Sequence, residues 1–217
     1  MSSRHPLRIT ALGSGRGSNI DSVYDAIQSG QLDAEIVGVI SNNSTCGVMS
    51  KARDRGIQAL HVSGKTCPNA REFEQRMLQI LTDLNTELVV LAGYMKKVPT
   101  AVIQKYQNRI LNIHPALLPA FGGKGLYGRH VHQAVLDYGA KVSGATVHLV
   151  DVEYDTGPPV VQECVPVYSD DTPDSLAARV LEVEHRILPR AVRLFAEKRI
   201  EIDGRRVVIR DQVRLVR

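Results

Sequence analysis

LRITALGSGRGSN, Leu7 to Asn19, is a short apolar run that stops against three glycines. A run of this kind followed by such a turn reads as a strand entering a tight loop. The helix after it is signalled by Ser18, a good N-cap, and by Ile20, Val23, Tyr24 and Ile27 at i, i+3, i+4 and i+7, with Gly30 ending the pattern. A glycine-rich turn entering a helix presents backbone N–H groups and the positive end of the helix dipole, so Gly17, Ser18 and Asn19 form either a phosphate cradle or a plain tight turn. The spacing Gly13-x-Gly15-x-Gly17 is not the dinucleotide pattern, and Ser41 to Ser44, after the next strand, offers no acid for a ribose diol. A nicotinamide cofactor is therefore disfavoured.

Working outward, the alternation continues. AEIVGVI (Ala34 to Ile40) predicts a buried parallel strand, followed by a helix from about Gly47 to Arg55 that stops at Gly56 and a short strand at Ile57 to Val62. Phe73, Met77, Ile80, Leu81 and Leu84 mark a helix, Leu88 to Ala92 a strand, and Pro99 opens a helix running to about Tyr106. Ile110 to Ile113 is the next strand and delivers His114 at its carboxyl end. The glycine-rich segment Pro119 to Arg129 predicts a mobile loop before a helix at Val131 to Tyr138; Ala145 to Val150 and Val160 to Val167 are strands around the turn DVEYDTGPP. Thr172-Pro173-Asp174 starts a long helix that Pro189 should kink, and Ile200 to Ile209 carries the Asp-Gly signal of a hairpin.

The expected fold is thus α/β: a single domain over residues 1–217 with a mostly parallel, doubly wound, Rossmann-like sheet, then a long C-terminal helix and β-hairpin. Residues 1–6 are expected to be flexible, and 200–217 to form the hairpin and a basic tail that includes Arg205, Arg206, Arg210, Arg214 and Arg217. A chain of 217 residues, 43% hydrophobic and 23% charged, buries enough apolar surface to need no staples. Cys46, Cys67 and Cys164 are odd in number and lack Cys-x-x-Cys spacing, so they are read as reduced thiols. A start without an apolar h-region predicts a cytoplasmic protein with no membrane partner. A net charge of +4 suits an anionic small molecule and is too weak to imply nucleic acid.

Chemistry concentrates in LNIHPALLP, Leu111 to Pro119. Asn112 and His114 are two apart on an extended chain and share a face. An amide beside an imidazole suits acyl transfer to an amine, the amide stabilising the intermediate's oxyanion and the imidazole shuttling the amine's proton. Taken alone, a histidine at a strand end is more often structural. The acidic turn Asp151 to Asp155 is read as solvated, or as bringing Asp155 to His114, where it would raise the imidazole pKa. His148 is read as a packed, hydrogen-bonded residue beside the site, outside the chemistry. His130 and His132 lie two apart on a helix and share no face, which argues against metal.

GSGRGSN, LAGYMKKV, LNIHPALLP, GATVHLVD and YDTGPPVVQ, in order across nearly the whole chain, resemble the phosphoribosylglycinamide formyltransferase family of folate-dependent enzymes. The resemblance implies direct formyl transfer from 10-formyltetrahydrofolate, a co-substrate, to the substrate amine, without metal or covalent intermediate. It puts the catalytic Asn, His and Asp on Asn112, His114 and Asp155, and the substrate on Gly17, Ser18, Asn19 and Glu184; an exposed helix charge is the plain alternative for Glu184. It puts the folate among Arg71, Met95, Lys96, Lys97, Val98, Asn112, Asp151, Val152, Glu153, Tyr154 and Asp155. Lys96 stands where some relatives carry Arg, and Gly122 where many carry Pro, a change expected to loosen the loop without touching the chemistry.

The alternatives are formyltetrahydrofolate hydrolysis, formylation of another amine such as an aminoacyl-tRNA or amino sugar, or a non-catalytic nucleotide-binding protein. The extra domains expected of the hydrolase and the tRNA enzyme are missing from this length, and Asn112 with His114 speaks against a binding protein. Small molecules are the only partners expected, for a monomer or homodimer.

Overall fold

The computed structural model describes residues 5–210. Seven strands form one sheet: β1 (Leu7–Leu12), β2 (Ala34–Ser41), β3 (Ala59–His61), β4 (Leu88–Leu91), β5 (Ile110–His114), β6 (Val142–Leu149) and β7 (Pro159–Pro166). Their order is β3-β2-β1-β4-β5-β6-β7. The first five run parallel; β6 is antiparallel to β5, and β7 to β6. The winding direction reverses between β1 and β4, which opens a crevice at the carboxyl ends of those strands.

Six helices cover the sheet: α1 (Ser18–Gln28), α2 (Gly47–Asp54), α3 (Ala70–Asp83), α4 (Thr100–Lys105), α5 (Arg129–Tyr138) and α6 (Pro173–Ala196). The two faces of the sheet hold separate cores, because side chains alternate along each strand. Val90 of β4 packs with α1, α2 and α6 residues such as Ile20, Met49 and Ile187, whereas Val89 and Leu91 pack with Met77 and Leu81 of α3 and Val102 of α4. A buried residue such as Leu81 or Leu111 truncated to Ala costs about 2–5 kcal/mol, so the framework under the site is firmly held.

Two expectations need adjustment. The N-cap of α1 is Gly17, at φ 81°, and Ser18 is the first helical residue with no side-chain cap. A Cβ on Gly17 would lie 2.8 Å from the Val48 side chain, so glycine is required by contact as well as by φ. Pro189 lies inside α6, which runs as one helix to Ala196. In the hairpin of β8 (Ile200–Asp203) and β9 (Arg206–Ile209), Asp203 pairs with Arg206, so the loop is Gly204-Arg205 rather than Asp-Gly. Thr172 caps α6 through its hydroxyl, and Ser175 completes a capping box. Of the expected basic tail, Arg214 and Arg217 lie outside the described residues, as do residues 1–4 of the expected flexible start.

Candidate active site

The crevice has two chemically different ends. At the first, β1 runs into the glycine turn and α1 begins without a side-chain cap. The Gly17 carbonyl accepts from the Ile20 and Asp21 N–H groups, while the N–H groups of Ser18 and Asn19, at the start of the helix, have no partner inside it. Ser14 ties this loop to the next strand end, donating its hydroxyl to Asn42 Oδ1 and accepting the Met95 N–H at 2.9 Å. Glu184 reaches across from α6 and accepts from Asn19 Nδ2 at 2.5 Å. It is buried, which raises its pKa against the opposing effect of Asn19. The exposed-charge reading of Glu184 is thereby overturned. Asn19 Oδ1 is buried with no hydrogen-bond partner among the described residues.

At the second end, Asn112 and His114 leave β5 on one face, as their spacing requires. Across the antiparallel ladder, His148 of β6 pairs directly with Asn112. His148 Nδ1 lies 2.8 Å from the Leu149 carbonyl, which can only accept, so Nδ1 carries a proton there, and Nε2 lies 3.0 Å from Asn112 Nδ2. The chain after β6 then folds back and brings Asp155 over the pair. Its Oδ1 is 3.5 Å from Asn112 Nδ2 and 3.6 Å from His148 Nε2, and its Oδ2 is 3.6 Å from His114 Nδ1 and 2.9 Å from the Gly123 N–H. The turn needs Gly157, where a Cβ would fall 1.8 Å from the Leu149 carbonyl oxygen.

The proton inventory follows from these contacts. His114 Nε2 faces the Phe121 carbonyl at 2.8 Å, so Nε2–H donates there and Nδ1 of the neutral ring presents a lone pair to Asp155. Burial pushes the Asp155 carboxyl upward, but His148, the Gly123 N–H and His114 outweigh it and hold the group below the usual carboxylate range. The expected rise in the His114 pKa is overturned: burial depresses it, and the opposing pulls of Asp155 and the Phe121 carbonyl do not compensate. At neutral pH the pair is a carboxylate beside a neutral imidazole, with room for one proton between Oδ2 and Nδ1.

The candidate folate segments lie between these ends. Lys97 Nζ sits 5.6 Å from the Tyr154 ring centroid, which joins the Met95–Val98 segment to the acidic turn. Met95, Val152 and Tyr154 are exposed apolar side chains of the kind a flat heterocycle covers; Val98 is buried beneath. Lys96, Asp151 and Glu153 are exposed, with Asp151 Oδ1 accepting the Val152 N–H. Arg71 is exposed in the first turn of α3, and among the described residues no hydrogen bond or ion pair joins it to the others.

Three features escaped the sequence reading. His148 is packed and hydrogen-bonded as expected, yet its partner is Asn112 itself. His132 is buried with Nδ1 unpartnered, and burial together with nearby His114 pushes its pKa down to about 4. Gly122 is not remote from the chemistry, since a Cβ there would lie 3.2 Å from the Asp155 Cβ and 2.5 Å from Leu118 Cδ2. All three depend on strand register and on a loop path that local spacing does not encode.

Among the described residues no three His, Cys, Asp or Glu side chains are grouped to hold a metal ion, and no helix is long and apolar enough to cross a membrane. Cys46, Cys67 and Cys164 are free thiols.

Residues 7–192 match the family model described as formyl transferase. The phosphoribosylglycinamide formyltransferase of Escherichia coli is 33% identical over 209 residues, which cover 93% of this chain and 96% of the relative. The chloroplastic phosphoribosylglycinamide formyltransferase of Arabidopsis thaliana is 41% identical over 203 residues, 92% of this chain and 70% of the relative. Among solved structures, glycinamide ribonucleotide transformylase 1 from Symbiobacterium toebii is similar with a TM-score of 0.90 and 40% identity, covering 95% of each chain. With the amide, imidazole and carboxylate gathered at the carboxyl end of the fifth strand, the chain belongs to the formyl transferase family.

Proposed function

We propose that this chain transfers the formyl group of 10-formyltetrahydrofolate to the amine of 5-phosphoribosylglycinamide, giving the N-formyl product and tetrahydrofolate in de novo purine biosynthesis. The observation that carries the reading is the approach of Asp155 to both Asn112 and His114, at 3.5 and 3.6 Å. Attack of the amine on the formyl carbon forms the new C–N bond and puts negative charge on the formyl oxygen. Asn112 meets that charge: one N–H is held by His148 at 3.0 Å, while the other has only a 3.5 Å contact and is free to turn to the oxyanion. The proton released by the attacking nitrogen goes to the His114–Asp155 pair, where imidazolium is stabilised by the adjacent carboxylate. Breaking the bond from carbon to the folate N10 returns electrons to that nitrogen, and the stored proton neutralises it.

The same reading places the substrate phosphate on the N–H groups of Gly17, Ser18 and Asn19, and the rest of the acceptor near Glu184 and Asn19. The folate lies along Met95 to Val98 and Asp151 to Asp155, with Arg71 toward its outer end, and no metal takes part. Residues 1–217 act as one domain in the cytoplasm on small molecules, without nucleic acid or membrane, as a monomer or homodimer. The test is a coupled absorbance assay with purified protein, both substrates and, separately, water as the only acceptor. Formyl transfer that requires phosphoribosylglycinamide is expected. Turnover with water alone makes the chain a hydrolase, and binding of both ligands without turnover makes it a binding protein.

A further inference from the structure

The hairpin at the end of the chain touches the site. Ile202 of β8 and Val207 of β9 pack on the core shared by α6 and β7, which anchors a two-stranded unit too small to be stable alone. Its ladder is closed at the open end by Arg199 and Arg210, which exchange a backbone bond and a bond from Arg199 Nε to the Arg210 carbonyl. The loop at the other end holds Arg205, whose Nη2 donates to the Thr156 carbonyl at 2.8 Å, across 49 positions of sequence. Thr156 follows Asp155, the residue that faces Asn112, His114 and His148.

Asp155 is one of few non-glycine residues with positive φ, at 56°, and a backbone in that region persists only where its surroundings over-determine it. Across Asp155, Thr156 Oγ1 donates back to the Glu153 carbonyl at 3.4 Å; at the side chain, the Gly123 N–H fixes Oδ2. After it, the Thr156 carbonyl is held by Arg205. We infer that the hairpin is a brace for the catalytic turn and that Arg205 is a positioning residue, acting on the reaction through the backbone of Thr156 and the orientation of Asp155. An arginine suits the task because its planar fork donates along a fixed direction from an exposed stem.

This rests on Asp155 taking part in catalysis, so the experiment carries Asp155→Asn beside the brace variants. Arg205→Ala is expected to lower kcat about tenfold with KM for the amine substrate within twofold. It should also shift the acid limb of the pH–rate profile, because Asp155 no longer lies at its native distance from His114, and hydrogen exchange should quicken across residues 151–157. Arg205→Lys, which keeps a donor, should recover part of the rate. The paired change Gly204→Asn with Arg205→Gly keeps a turn-forming loop while removing the guanidinium, and should match Arg205→Ala if that variant folds poorly. Wild-type kcat and an unshifted profile in the folded Arg205 variants, with Asp155→Asn inactive, overturn the brace. An active Asp155→Asn overturns the catalytic reading beneath it.

Discussion

The two ends of the crevice each bury a carboxyl group, and they treat it oppositely. Glu184, at the α1 end, has one amide for a partner, and burial raises its pKa. Asp155, beyond β6, has two imidazoles and the Gly123 N–H beside it, and they outweigh burial and hold its carboxyl below the usual carboxylate range. On the proposed function, the difference is that between an end that binds and an end that reacts. A lone buried carboxyl beside an orphaned amide oxygen is short of partners until a ligand brings donors. A carboxylate already surrounded by partners has little to gain from ground-state binding and instead stabilises charge that appears during reaction.

The largest effects should come from breaking the reacting end. His114→Ala and Asp155→Asn are each expected to lower kcat about a thousandfold, the scale of a lost general base, with substrate affinity nearly unchanged. Asparagine can keep the acceptor for the Gly123 N–H while it removes the charge and turns the oxygen that faces Asn112 Nδ2 into a donor, so Asp155→Asn tests the carboxylate as a whole. Steady-state kinetics with separate binding titrations check this, and loss of affinity in place of rate would merge the two ends into one.

Next is the response to acid. His132 has a folded pKa of about 4 and an unfolded one near 6.5, so the unfolded chain binds the extra proton. Stability from the neutral ring is complete above about pH 6.5 and is lost as pH falls toward 4, about 3 kcal/mol at about 1.4 kcal/mol per pH unit. His114, depressed in the same direction, adds to the loss. Denaturant unfolding between pH 7 and 4 should therefore show a steep decline that His132→Leu makes shallower; equal slopes would remove His132 from the account.

These contrasts also mark how far the sequence could be read. Asn112 and His114 were visible as a pair because a two-residue spacing on a strand is a local property. The strands and helices were visible for the same reason, their apolar periods being local, and only edges such as Gly17 against Ser18 moved. The approach of Asp155 was not, because it depends on β6 running antiparallel beside β5 with His148 opposite Asn112, and on the glycine loop closing from the far side. Nor was the sign of the His114 shift, since a charge pair suggested by chemistry says nothing of the burial that opposes it. The buried state of Glu184 needed the packing of α6 on α1.

A smaller effect separates the binding end. Glu184 has a raised pKa in the fold, so its ionisation costs stability that is present at low pH and lost as pH rises above the usual carboxyl range. Glu184→Gln retains a partner for Asn19 and removes that cost. It should raise KM for the phosphorylated amine about tenfold, about 1.4 kcal/mol, leave kcat nearly intact, and raise the melting temperature at pH 7.5 by a few degrees. A fall in kcat with unchanged KM would make Glu184 part of the reaction.

The smallest expected effect tests whether the crevice has a third region. Arg71 is exposed at the start of α3 and joined to neither end by a hydrogen bond or ion pair among the described residues. A guanidinium in that position meets an anionic ligand tail through water-exposed contacts, which are worth about 0–1 kcal/mol and are screened by salt. Arg71→Ala should weaken folate binding no more than about fivefold at low ionic strength and by less in 0.5 M salt, with kcat unchanged. Fluorescence titration of folate at two salt concentrations measures both. A dissociation constant unchanged at low salt would take Arg71 out of the site, and a salt-independent loss would mean that α3 closes onto the ligand and desolvates the contact, so that α3 forms a further wall of the crevice.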